Sequence, residues 1–258
     1  MQVMDSFSLK NKVALVTGGQ SRLGDQIVLA LAQAGARVYM ASRHLEQLET
    51  AAAKMRGEGL DVHAMAYEQG SETSIRQLKE QLFEREEHID ILVNNAVLRT
   101  AGGWGIDADT FTQSMQVNAT GIFLMIRTFA DEMARTGGGS IINIGSTMAL
   151  KAMERQPDGR ATHFVPDYCF HKGGLISLTR LAASYYGADH VRCNMITPGA
   201  FREENTPPAF VDSVSRKTML GRMVESTDLM GAVVFLASDA SSYITGVNLP
   251  VDGGSTAK

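Results

Sequence analysis

The chain has 258 residues, a length that fits one large domain or two small ones. Hydrophobic residues make up 44% and charged residues 20%, an ordinary globular balance that excludes a disordered chain. Its 24 basic residues against 28 acidic ones leave a net charge of −4, which argues against a general nucleic-acid binder with its basic excess. Two cysteines, Cys169 and Cys193, are too few for a disulfide framework. No apolar run reaches the ~18 residues of a membrane span. The opening stretch lacks the apolar core of a secretory signal, so a cytoplasmic protein with no membrane or nucleic-acid partner is the expectation.

Residues 13–16 are an apolar run that ends at Thr17-Gly18-Gly19, the pattern of a first strand. Residues 23–34 follow with Ile27, Ala30, Leu31 and Ala34 at helical spacing, and Gly35 stops them as a residue past a helix end would. Residues 37–41 read as a second strand, 45–56 as a helix, 62–66 as a third strand, 72–86 as a helix and 89–94 as a fourth strand. The stretch 109–135 is a long helical pattern broken by Gly137-Gly138-Gly139, and 140–145 is a fifth strand. An Ala/Leu-rich helix over 168–186, a sixth strand over 191–196, a helix over 226–237 and a last strand over 247–251 complete the chain.

Strands alternating with helices of this length imply parallel pairing through crossovers. Right-handed crossovers then build an α/β fold: a doubly wound parallel sheet of about seven strands with helices on both faces, one Rossmann domain over residues 1–258. Two stretches, 147–167 and 200–218, break the rhythm as long loops. Both follow strand ends on the side where open α/β sheets place their ligands, which makes them the expected substrate loops.

The turn Thr17-Gly18-Gly19-Gln20-Ser21-Arg22-Leu23-Gly24 joins the first strand to the first helix. Its glycines permit a tight turn and close approach of a ligand, and the helix start behind it favours an anion such as a pyrophosphate. A plain tight turn is the alternative. The second strand exits into Ala41-Ser42-Arg43, without the acidic residue that would hold a ribose 2′-hydroxyl. A guanidinium suits a 2′-phosphate, with Arg22 able to add a second charge, so NADP(H) is favoured over NAD(H). The alternative is that Arg43 is a solvated helix-start residue and Ser42 serves a bare ribose.

Tyr168 and Lys172 stand four residues apart, on one face of a helix. A tyrosine of ordinary pKa, ~10, is almost wholly protonated at neutral pH, and a nearby cation favours its phenolate. The pair can therefore make an acid–base group poised near neutrality.

Together these features resemble the classical short-chain dehydrogenase/reductase family over most of the chain, especially its gluconate 5-dehydrogenase-like and sugar-modifying members. Thr17-Gly18 with Gly24 is similar to its glycine turn, Asn94-Asn95-Ala96 to its segment after strand four, and Asn118 to its helix asparagine. Ser146, Tyr168 with Lys172, Pro198-Gly199, and Thr245-Gly246 with Val251-Asp252-Gly253-Gly254 match in order and spacing.

The resemblance implies an NAD(P)-dependent enzyme acting on CH–OH groups. Tyr168 would be the general acid–base and Lys172 its supporting cation and ribose ligand. Ser146 would hold the substrate oxygen, and Asn118 a water in a proton relay. It implies cofactor contacts from Gly18, Ser21, Arg22, Leu23, Gly24, Ser42, Arg43, Glu68, Gln69, Asn95, Ala96, Pro198 and Gly199, and a homotetramer or homodimer. The chain departs from the pattern at Arg22, where the middle glycine stands, at Val97 for a glycine, and at Glu203 for a threonine. The 22-residue step from Ser146 to Tyr168 is also longer than the family's.

Met148, His163 and Thr206 are candidate substrate contacts. The six histidines form no metal-ligand cluster, so no metal is expected. Polar loops at the expected pocket mouth favour a small hydrophilic substrate: a sugar, a sugar acid or a polyol. The alternatives are a 3-oxoacyl-carrier-protein reductase and a non-catalytic dinucleotide-sensing protein on the same fold.

Overall fold

The computed structural model describes residues 2–101, 103–152 and 165–258. Seven parallel strands lie in the order β3-β2-β1-β4-β5-β6-β7: β1 (Val13–Thr17), β2 (Arg37–Ser42), β3 (Val62–Ala66), β4 (Ile91–Asn94), β5 (Gly139–Ile144), β6 (Val191–Pro198) and β7 (Asn248–Val251). The order reverses between β1 and β4. There two crossovers leave in opposite directions and open the crevice that such sheets use for ligands. The single doubly wound α/β sandwich expected from the alternation is what the chain forms.

Strand alternation sorts the core into two layers. On β1, Val13 and Leu15 face one side with Ile75, Leu78, Phe129, Met133 and Leu175. These come from α3 (Glu72–Phe83), α5 (Gly121–Thr136) and α6 (Pro166–Tyr186). Ala14 and Val16 face the other side with Ile27, Leu31, Leu48 and Leu236. Those belong to α1 (Arg22–Gln33), α2 (Leu45–Gly57) and α8 (Met230–Ala237).

Local chemistry explains where the elements begin and end. Ser21 caps α1 by accepting from the Gly24 N–H at 3.1 Å, which starts the helix one residue earlier than its apolar spacing suggests. Gly35 lies at φ +104°, beside Lys10, a conformation that a side chain would strain. Helix α3 stops at Phe83, short of the expected 86, and Glu86 turns back to the sheet to accept from Tyr39 Oη at 2.6 Å and Arg37 Nη1 at 2.9 Å. Strand β4 begins at Ile91 rather than 89. Asp90 instead receives the Val13 N–H at 2.8 Å.

The long pattern at 109–135 is helical throughout but not uniform. It divides into α4 (Ala108–Met115), a widened π turn (Gln116–Thr120) and α5. Such a turn inside a helix marks functional positions often enough to direct attention to Asn118, which lies within it. The 226–237 helix likewise splits, with Ser226–Leu229 wound as a 3₁₀ turn before α8. The loop at 200–218 carries a short helix, α7 (Pro208–Ser215), and joins Val224 through a bridge at Phe201. Within the loop at 147–167, Thr147–Ala149 forms one 3₁₀ turn. His163 and the polar residues of 153–164 lie outside the described residues.

Candidate active site

The β1–α1 turn is shaped to receive a ligand's backbone. Gly18 lies at φ +66°, and a Cβ there would stand 3.0 Å from Ala96 Cα; at Gly24 a Cβ would collide with the Gly18 carbonyl. Thr17 Oγ1 accepts the backbone N–H groups of Asn95 and Ala96, both at 3.0 Å. Asn95 Nδ2 donates to Thr17 O, Gly18 O and Ser21 Oγ at 3.0, 3.1 and 3.2 Å. The turn and the β4 exit are thus one hydrogen-bonded unit, with the N-terminus of α1 open behind it. This glycine cradle fits the pyrophosphate of a dinucleotide. Leu23, in the first turn of α1, is only partly buried and packs on the α1/α2 side of the sheet.

Further along the groove, Arg43 meets Glu68, with Nε 3.5 Å from Oε2. Ser42, at the end of β2, is buried and accepts from the His44 N–H at 3.3 Å. Glu68 also accepts from the Gly70 N–H at 3.2 Å. Arg22, expected to add a second charge, has its Nη1 3.2 Å from Glu203 Oε2. Gln69 is also committed. Its amide donates to Val117 O at 2.9 Å and Ala96 O at 3.3 Å, and its oxygen accepts from Tyr67 Oη at 2.8 Å. That side chain shapes the groove wall. Thr206 turns its hydroxyl to its own loop, accepting the Glu203 N–H at 2.7 Å. Pro198 pairs with Val251, and the Gly199 N–H donates to Val251 O at 3.0 Å, where a Cβ would crowd Asp252 Cα at 3.0 Å.

At the reacting end, α6 begins with Pro166 and carries Asp167, Tyr168, His171 and Lys172. Lys172 is 3% exposed, and its Nζ donates to Ile144 O at 2.5 Å, fastening α6 to the end of β5. The same Nζ lies 5.7 Å from the Tyr168 ring centroid. Burial, and then the Arg99 charge, push the Lys172 pKa down to about 7. Two residues past Ile144, Ser146 Oγ accepts the Met148 N–H at 3.2 Å and keeps its own O–H to donate. Met148 sits in the 3₁₀ turn that follows, and that turn packs on α6.

Asn118, expected to hold a relay water, commits its side-chain amide to protein partners. Its Oδ1 accepts the Leu98 N–H at 2.8 Å, and its Nδ2 donates to Leu98 O at 2.8 Å and Ser114 Oγ at 3.0 Å. Both ends of the amide therefore position the β4 exit loop. The Ser114 hydroxyl passes the chain on to Asp167 Oδ2 at 2.5 Å, and Thr100 Oγ1 donates to the same oxygen at 3.0 Å.

Three neighbours of the tyrosine were not singled out by the sequence patterns. Arg99 places its Cζ 5.7 Å from the Tyr168 ring centroid. His171 packs edge-on to that ring at 5.1 Å between centroids, buried with no partner for either ring nitrogen among the described residues. Its pKa falls to about 3, through burial first and the Lys172 charge second. Asp167, directly before Tyr168, is the third. Only Arg99 had a usable signal, its position just past Asn94-Asn95-Ala96; burial of the other two depends on the fold.

A single acid–base group beside a buried cation, a serine donor at a strand end and a glycine cradle along the same sheet edge can carry hydride chemistry on a carbonyl or carbinol. Among the described residues no group of three His, Cys, Asp or Glu side chains gathers as a metal site. Nor is any described helix long and apolar enough to cross a membrane.

Comparison with known proteins agrees with this arrangement. Residues 19–256 match the family model described as enoyl-(acyl carrier protein) reductase. The rhamnolipids biosynthesis 3-oxoacyl-[acyl-carrier-protein] reductase of Pseudomonas aeruginosa is 31% identical over 96% of this chain and 97% of its own. The D-threitol dehydrogenase of Mycolicibacterium smegmatis is 32% identical over 98% and 95%. A gluconate 5-dehydrogenase from Burkholderia cenocepacia, solved with NADP and tartrate, superposes with a TM-score of 0.91 at 30% identity over the whole of both chains. The chain therefore belongs to the short-chain dehydrogenase/reductase family, as an NAD(P)-binding oxidoreductase of CH–OH groups.

Proposed function

We propose that the protein is an NADP(H)-dependent oxidoreductase that interconverts a secondary alcohol and a ketone on a small polar substrate of the sugar, sugar-acid or polyol class. The observation that carries this reading is the Tyr168 ring standing 5.7 Å from Lys172 Nζ, with that lysine anchored to Ile144 beside Ser146. Tyr168 donates its phenolic proton to the carbonyl oxygen in reduction and takes it back in oxidation. Ser146 donates a hydrogen bond to the same oxygen as charge develops on it. Lys172 steadies the deprotonated phenol and meets the cofactor's ribose. Asn118 holds the β4 exit loop against the site. The bound dinucleotide supplies or accepts the hydride.

Gly18, Ser21, Leu23 and Gly24 would line the pyrophosphate, with Asn95, Ala96, Pro198 and Gly199 along the groove. Arg43, between the end of β2 at Ser42 and the start of α2, supports a 2′-phosphate through the donors that Glu68 leaves free. The names of the relatives support the substrate class, since they include a tetritol dehydrogenase and a gluconate dehydrogenase. The acyl-carrier-protein reductase among them keeps thioester substrates as the second reading. Exposed Phe123 on α5 and exposed Phe170, Leu181 and Tyr185 on α6 support a homodimer or homotetramer joined through those helices.

The test is a screen of polyols, aldonic acids, diketones and acyl thioesters, followed by NADPH and NADH absorbance. Turnover of polyols or aldonic acids with a preference for the phosphorylated cofactor supports the reading. Turnover of acyl thioesters alone replaces it with the second.

A further inference from the structure

The Leu98-Arg99-Thr100 segment is held more firmly than a loop needs for its own sake. On one side of Arg99, Leu98 gives both its backbone groups to the Asn118 amide, each at 2.8 Å. On the other side, Thr100 Oγ1 donates to Asp167 Oδ2 at 3.0 Å, and Ser114 Oγ shares that oxygen at 2.5 Å. Asn118 and Asp167 are each 1% exposed and stand on different helical segments. Between these two anchors the Arg99 side chain is solvent-exposed, with its guanidinium over the Tyr168 ring.

The charge balance there is unusual. Arg99 acts on Lys172 as a like charge, so two cationic groups flank one phenol. Most arginines along the cofactor groove and the sheet rim have carboxylate partners: Arg22 has Glu203, Arg43 has Glu68, and Arg37 has Asp61 and Glu86. Among the described residues Arg99 has none within 4.0 Å. Asp167, the nearest carboxylate in sequence to the tyrosine, spends Oδ2 on Thr100 and Ser114 and lies outside the 4.0 Å reach of Arg99, while its buried Oδ1 has no hydrogen-bond partner among the described residues. A guanidinium set over the reacting ring by anchored neighbours, and without a carboxylate partner among the described residues, is placed to take an anion carried by the ligand.

We propose that Arg99 binds a carboxylate of the substrate, which makes the physiological substrate a hydroxy acid or its keto acid rather than a neutral sugar or polyol. The carboxylate sits on the guanidinium, and the carbinol oxygen a few bonds away reaches the Tyr168 hydroxyl. Asn118 and Asp167 are positioning residues for Arg99, through Leu98 and Thr100. The proposal rests on the reading of Tyr168 as the reacting group, and it narrows the substrate class given above.

Two measurements on the full chain saturated with NADP test it. The first is calorimetric titration with tartrate, and with threitol as the neutral control, on the wild type and on Arg99→Gln and Arg99→Lys. A charged hydrogen-bonded contact of this kind predicts tartrate binding weakened about ten- to a hundred-fold in Arg99→Gln, with a smaller loss in Arg99→Lys. The second is the ratio of kcat/KM for an aldonic acid to that for the matching polyol, expected to fall about tenfold or more in Arg99→Gln.

The proposal is overturned if the wild type binds tartrate no better than threitol, if Arg99→Gln leaves tartrate affinity unchanged, or if the acid-to-polyol ratio does not move. A wild type that turns over no alcohol would defeat the broader functional reading, while the tartrate titration still decides the role of Arg99.

Discussion

Arg22 and Glu203 form an ion pair, Nη1 to Oε2 at 3.2 Å, that joins the first residue of α1 to the loop after β6. Each stands where the family pattern carries a different residue type, a glycine and a threonine. The arginine in the glycine turn is held by a carboxylate from the loop after β6. Both side chains are about half exposed, so the pair contributes at most about 1 kcal/mol.

A pyrophosphate bound at the α1 terminus competes with Glu203 for Arg22. Glu203→Gln is therefore expected to strengthen NADPH and NADH binding alike, by about two- to five-fold. Fluorescence titration with both dinucleotides checks this. Unequal gains would place the effect at the adenosine end of the groove instead.

In the proposed reading Arg43 carries the cofactor preference. Its contact with Glu68 is long, at 3.5 Å, and leaves most of the guanidinium's donors free. Arg43→Ala is expected to weaken NADPH about ten- to a hundred-fold and NADH by less than about threefold. Equal losses for the two cofactors would remove the 2′-phosphate from the argument.

Tyr168→Phe deletes the phenolic proton and keeps the ring that packs against His171. Turnover is expected to fall about 10²- to 10⁴-fold, as for loss of a general acid–base, with the NADPH dissociation constant within about twofold of wild type. Stopped-flow reduction and fluorescence titration separate the two. An active Tyr168→Phe enzyme would assign the proton to another group.

Buried His171 makes stability depend on acid. In the folded chain it stays neutral down to about 3, whereas its ordinary value is 6.5. Between those values the unfolded chain binds the extra proton, so stability falls as pH drops from 6.5 toward 3. His171→Leu removes this proton linkage. Between pH 7 and pH 4.5 it should lose about 2–3 kcal/mol less stability than the wild type. Denaturant unfolding at the two pH values measures the difference, and parallel losses in both proteins would show that His171 does not contribute.

The order of strands and helices could be read from the chain because period and punctuation are local properties. Val13 and Leu15 alternate with Ala14 and Val16 in sequence just as they divide between the two core layers. Gly35 and Gly137 stop helices where only a positive φ continues the chain. The glycine turn, Ser146, Tyr168 and Lys172 were legible for a similar reason: their chemistry resides in short spacings. Element ends were less legible. Glu86 and Asp90 leave their helix and strand to bond partners distant in sequence.

Partnership across the sheet was decided by tertiary structure alone. No local pattern links Arg22 to Glu203, Gln69 to Val117, or Thr100 to Asp167, since each pair is separated by dozens of residues or more. Arg99 is marked in one dimension only by its place just past Asn94-Asn95-Ala96. It becomes a cation beside Tyr168 only because Asn118 and Asp167, from two helical segments, fix the residues around it. Spacing along a chain encodes which faces a helix or strand presents. The fate of a charge depends on what stands opposite it, and folding alone brings those groups together.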